Sequence, residues 1–213
     1  MDRKVIFQAA FVASIVAFGA VLVIGFGVRL PDPTVDIQPS IPNGTVDDFV
    51  QATNEYPELV LRFMAADSLF ILSYLMVFVG LHVVVVGRAY TFAWLGLLTG
   101  FLTASLDAIE NAYLINYALL AKLGMLLFEP DLPLIYTVAN LKWMAAFATL
   151  YAFGLVWPRK SWLERIIMIV MLLFPLFGIL GVMIPGLVPY RGLFFFLGMP
   201  LFAWYFWRQT RQE

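Results

Sequence analysis

Cysteine is absent from this chain and histidine occurs once, at position 82. The first absence removes disulfides, thiolate nucleophiles, iron–sulfur ligation and thioether-attached haem. The second removes bis-histidine haem and any histidine-rich metal site, so neither a cofactor nor a metal is expected. Charge is scarce as well: Asp, Glu, Lys and Arg make up 13% of 213 residues, against roughly 25% in a soluble domain. The net charge of -1 hides an asymmetry, with acidic residues gathered in one long loop and basic ones in the short connections opposite, and nucleic acid is not an expected partner.

Apolar residues fill the space, at 62% of the sequence and a mean hydropathy of +0.90. A hydrocarbon core is roughly 30 Å thick and takes about 20 apolar helical residues to cross. Runs of that length predict six helices, at about 5–28, 57–87, 91–122, 133–157, 162–184 and 191–207. The expected fold class is therefore all-α, a polytopic transmembrane bundle of six helices in a single domain over 1–213. The basic start at Arg3 and Lys4 resembles a signal peptide, but the apolar run after it is too long and lacks a small-residue cleavage site, so it reads as a retained anchor.

Lys and Arg set an orientation. Arg3, Lys4, Arg88, Arg159, Lys160, Arg165, Arg208 and Arg211 fall on one side, against Arg29, Arg62, Lys122 and Arg191 on the other. By the positive-inside rule both the N- and C-termini are expected to be cytoplasmic, with the protein in a cell membrane. Trp94, Trp157, Trp162 and Trp207 at the inner ends, and Trp204 close by, read as an interfacial belt. The one sizeable connection, an outward loop over 29–56, collects Asp32, Asp36, Asp47, Asp48 and Glu55. Pro31, Pro33, Pro39 and Pro42 make its first part irregular. Asn43-Gly44 then marks a turn, and Thr45 with Asp48 a capping-box-like start for a short surface helix near 46–55. This loop reads as a connector lying on the bundle or as a lid over an outward pocket.

Function has to be sought in the few polar side chains inside the apolar runs, because charge in lipid is expensive and is kept for a pathway, a pocket or a lock between helices. Counting at 1.5 Å per residue places Asp107 and Lys142 at the same depth, roughly 22–24 Å from the cytoplasmic boundary, on neighbouring antiparallel helices. An ion pair between them is expected. Glu110 lies one turn above Asp107 with Asn111 beside it, Asn140 flanks Lys142, and Asp67 and Tyr74 share a face of the second helix. Together Asp67, Tyr74, Asp107, Glu110, Asn111, Asn140 and Lys142 predict a polar column from the outer surface to mid-membrane. Two acids against one base leave Glu110 in need of a proton, an ion or another donor, which makes it the expected titrating group. His82, near the cytoplasmic end, reads as a hydrogen-bonded interfacial residue.

Small residues predict close packing at Gly96 and Gly100 and along Ala9, Ala13 and Ala17. Pro175 and Pro200 interrupt the last two helices, which carry no charge in their membrane part by this reading. The sequence supplies neither a nucleophile constellation nor metal-ligand spacing, so no catalytic residue is assigned. A first helix, a long outer loop, the Arg62-to-Tyr74 stretch, Asp107-x-x-Glu110-Asn111 and Asn140-x-Lys142 together resemble small six-helix bacterial integral membrane proteins of the domain-of-unknown-function type. That resemblance implies a fold and a bacterial inner membrane, and carries no activity. Two functional expectations remain. One is an outward-facing intramembrane pocket for ion-coupled or small-molecule binding and transport. The other is a non-catalytic accessory subunit in which the charges lock the bundle. The expected partners are the lipid bilayer and other membrane subunits or a second copy of the chain.

Overall fold

A computed structural model describes residues 2–27, 46–126, 132–187 and 190–212 of the protein. Helix α1 spans Arg3–Leu22 and runs on through a π-helical turn at Val23–Gly27; α2 is Val46–Glu55, α3 Pro57–Val85, α4 Tyr90–Lys122, α5 Leu132–Val156, α6 Trp162–Met183 and α7 Tyr190–Thr210. Strands are absent among the described residues. The proline-rich stretch, the Asn43-Gly44 turn and the Thr45 cap expected within 29–45 lie outside them.

Local chemistry explains several helix starts. Asp2 caps α1 by accepting the Lys4 amide at 3.0 Å. Pro57 occupies the first turn of α3, where its missing N–H leaves no partner unsatisfied. Ser161 and Glu164 form a reciprocal capping box on α6, the Glu164 amide donating to Ser161 Oγ and the Ser161 amide to Glu164 Oε2. Arg3–Gly27, α3, α4 and α6 are long and apolar enough to cross a membrane. Helices α5 and α7, at 25 and 21 residues, match them in length, but Asn140 and Lys142 dilute the first, and Arg191, Pro200 and Arg208 the second.

The six long helices close a ring. Each packs on the next in chain order, and α7 returns to α1. At one end Arg3 donates to the Val83 carbonyl at 3.2 Å, His82 meets Trp94 edge-on at 4.8 Å, and Trp162 meets Trp204 at 5.1 Å. At the other end Lys122 pairs with Glu58 at 2.5 Å, and α2 lies across α3 and α4 with Ala52 and Thr53 buried.

The half of the ring near Trp162 is solid. Phe7, Val77, Leu81, Phe153, Trp157, Met171 and Phe206 form its core. In lipid this packing cannot draw on expulsion of water, so it depends on close approach and dispersion. Gly80 shows how close: a Cβ there would stand 2.6 Å from Ala10 Cβ and 2.8 Å from Phe206 Cζ, where α1, α3 and α7 meet. Gly96 and Gly100 face Phe153 and Phe78 in the same way, so this pair serves contacts inside the ring.

Two expectations need correction here. The small-residue stripe of α1 that faces inward is Ala10, Ser14 and Ala17, whereas Ala9 is exposed. Trp157 is 2% exposed and packs on Tyr205 at 5.0 Å, so it belongs to the core and not to a belt; the returning α7 covers it.

Candidate functional site

On α3, Asp67, Phe70, Tyr74 and Phe78 recur every three or four residues and so share the face turned into the ring. Thr103, Asp107, Glu110 and Asn111 do the same on α4. These two helices and α5 bring the acids together around one lysine. Lys142 Nζ donates to Asp107 Oδ1 at 2.8 Å and lies 2.5 Å from Glu110 Oε2. Tyr74 Oη donates to the other Asp107 oxygen at 2.9 Å. Asn111 donates to Ser68 Oγ at 3.3 Å, beside Asp67 on α3. Asp67, Tyr74, Asp107, Glu110 and Asn111 are all buried.

Lys142 therefore serves both acids of α4. An ammonium carries three donors, and Asp107 and Glu110, one turn apart, present their carboxylates to the same point. Glu110 is not the unpaired group that counting charges on α4 and α5 implied. The acid without a lysine of its own is Asp67, on α3. Asn140 is exposed and takes no part in the cluster. Two residues along a helix turn the side chain by about 200°, so Asn140 and Lys142 face opposite ways.

Beside the cluster lies a cavity of about 320 Å³. Asp67, Tyr74, Thr103, Asp107 and Lys142 form one wall, while Phe70, Phe78, Phe174, Phe194, Phe195 and Phe202 supply much of the rest. Phe195 ties this aromatic lining together, meeting Phe70 of α3 and Phe174 of α6 each at 5.3 Å and Trp143 of α5 at 6.1 Å. Below Thr103 a hydroxyl chain continues between α4 and α5: Thr103 donates to the Thr99 carbonyl at 2.8 Å, and Thr149 to Thr99 Oγ1 at 3.0 Å. His82 stands apart, its Nδ1 3.0 Å from the Ala93 carbonyl.

Sequence reasoning missed Arg191. It was counted with the outer loops, yet it lines the cavity from α7. Its guanidinium stands over Trp143 at 4.9 Å and near Phe147 at 5.8 Å, and Nη2 donates to the Gly178 carbonyl at 3.1 Å. The α6–α7 hairpin thus does bring a charge to the interior. The only hint in the sequence is that Arg191 sits two to four residues ahead of Leu193, Phe194 and Phe195, on the apolar run itself and not in the loop before it.

No family model, curated protein or solved structure matches the chain. The geometry has to carry the functional argument.

Proposed function

We propose that the chain is a six-span integral membrane protein whose cavity binds, and by alternating exposure passes, a small amphipathic molecule bearing a cationic group. The observation that carries this reading is the composition of the cavity wall: Asp67 and Asp107 beside Lys142, whose ammonium also pairs with Glu110 outside the lining, with phenylalanine rings supplying much of the rest. One ammonium pairs with two of the three acids and leaves the cluster short of positive charge at Asp67. Either a proton or the ammonium of a ligand makes up the difference, and Asp67, which opens on the cavity, is the group that takes it. The phenylalanines hold the apolar body and favour a cation near their faces. Proton and ligand then compete for one carboxyl, which is the elementary requirement of ion-coupled transport.

The membrane orientation follows the same reading. Arg3, Lys4, Arg88, Arg159, Lys160, Arg165, Arg208 and Arg211 gather at the end marked by Trp94 and Trp162, which by the positive-inside rule supports cytoplasmic termini. The cavity then lies in the outer half of the bilayer, with the Phe153–Phe206 core as a plug beneath it.

Calorimetric titration of the protein in nanodiscs with hexylammonium, referenced to empty discs, tests the site. Saturable binding that weakens about tenfold or more in Asp67→Asn is expected, since removing one partner of a buried charge pair costs at least that much. Equal binding by parent and variant refutes it. The bridging position of Lys142 favours a second reading, a non-catalytic subunit locked by its charges. Stoichiometric co-purification with other membrane proteins, together with no hexylammonium-driven flux in proteoliposomes, is the outcome that reading requires.

A further inference from the structure

Arg191 has no counter-ion among the described residues, although it lines the same cavity as the carboxyl groups of Asp67 and Asp107. Its Nε is buried and has no hydrogen-bond partner among the described residues. Of its five N–H donors, one is used by the Gly178 carbonyl. Trp143 holds the guanidinium over its ring face, which limits the positions the fork can take and leaves its free donors for a carboxylate or phosphate. A guanidinium remains charged at any ordinary pH, so deprotonation cannot relieve its isolation.

Two cations share the same indole: Lys142 Nζ lies 5.7 Å from the Trp143 ring centre and the Arg191 guanidinium carbon 4.9 Å. Lys142 is satisfied by Asp107 and Glu110, whereas Arg191 is not. The anion-seeking group therefore stands within one small-molecule length of the cation-seeking cluster. Apolar and aromatic side chains supply the rest of the lining, so the cavity offers groups of both signs within otherwise hydrophobic walls.

The geometry points to a zwitterionic ligand, a molecule with an ammonium at one end, a carboxylate or phosphate at the other and an apolar spacer, whose anionic end is held by Arg191. This rests on the cavity reading above and narrows its ligand from cations in general to one class. Arg191 then acts as a specificity-determining residue, because a simple amine leaves its Nε unpartnered while a zwitterion satisfies both ends.

The test is a comparison of hexylammonium with ω-aminohexanoate and its neighbours in chain length, titrated into nanodisc-held parent, Arg191→Gln and Arg191→Lys. In the parent, the best-fitting ω-amino acid is expected to bind about tenfold or more tightly than the amine of equal length, the gain of a charge-assisted, bidentate contact. Arg191→Gln should lose that advantage and bind hexylammonium at least as tightly as the parent, since a like charge has left the cavity, and an unchanged circular dichroism spectrum shows that the variant is folded. Arg191→Lys, which keeps the charge without the planar fork, should retain part of it. Amine binding with no gain from any carboxylate, or a gain that survives in Arg191→Gln, overturns this inference and leaves the cation site standing. No binding by amine and amino acid alike overturns both.

Discussion

Replacing Lys142 by methionine isolates the arrangement that distinguishes a shared lysine from an ordinary ion pair. The substitution keeps the length and apolar stem of the side chain and removes the only ammonium in contact with Asp107 and Glu110. Two buried carboxylates one turn apart are then left facing each other without a cation. Breaking a buried pair from one side typically costs about 3–5 kcal/mol, because the abandoned charge stays desolvated. Asp107→Asn is a milder perturbation. Lys142 keeps Glu110, Tyr74 still donates to the new amide oxygen, and the loss is that of a charged hydrogen bond, about 1.5–3 kcal/mol. Glu110→Gln should fall in the same range, since Lys142 then keeps Asp107. The order of costs, lysine first and either acid well behind, is the signature. The triple variant Asp107→Asn/Glu110→Gln/Lys142→Met removes all three charges and should recover most of the Lys142→Met loss. Reversible unfolding in mixed micelles, read by circular dichroism, measures the four variants against the parent. If Lys142→Met costs no more than Asp107→Asn, or if the triple variant is as unstable as Lys142→Met alone, then the lysine is not the common partner of both acids and the electrostatic argument for Asp67 as the open group falls with it.

Tyr74→Phe removes a buried donor to Asp107 while leaving the ring against Phe70 and Phe78, and in the same assay should cost about 1.5–3 kcal/mol; a neutral result would mean that Asp107 finds another donor. Gly80→Val places atoms where Ala10 and Phe206 already touch and should cost about 1–3 kcal/mol. Gly19→Val, at a position with open space around it, serves as its control and should show only the small change of a surface substitution, within about 0.5 kcal/mol. Asn140→Leu should alter neither stability nor hexylammonium binding beyond about 0.5 kcal/mol, because Asn140 faces away from Lys142; tenfold weaker binding would return Asn140 to the site.

What could be read in advance and what could not divide along a physical line. Helical rise is constant, so counting residues is enough to set Asp107 and Lys142 level, and they lie 2.8 Å apart. Azimuth is harder. In a soluble helix the apolar stripe marks the buried face, but in a bilayer the lipid-facing and ring-facing sides are both apolar and only polar residues show which way a helix turns. Helices α3, α4 and α5 carry such markers in Asp67, Asp107 and Lys142, and these three acquired the right inward faces from sequence. Even there the marker works only if its periodicity is respected: Asn140 was grouped with Lys142 although two residues place them on opposite sides. Helices α1, α6 and α7 carry almost none, and the misreadings gather on the contacts they make. On α1, Ala17 faces inward as expected, but Ala10 and Ser14 do so where Ala9 and Ala13 were expected. Trp157, at the end of α5, was given to the interface because its burial depends on Tyr205 of α7. Arg191 shows the same limit at the site itself. An arginine near the end of a membrane helix can extend towards the headgroups or fold inwards, and neither hydropathy nor charge counting decides between them. Trp143 of α5 and the Gly178 carbonyl of α6 decide it here, so the residue argued to select the ligand is one whose direction is written in two other helices.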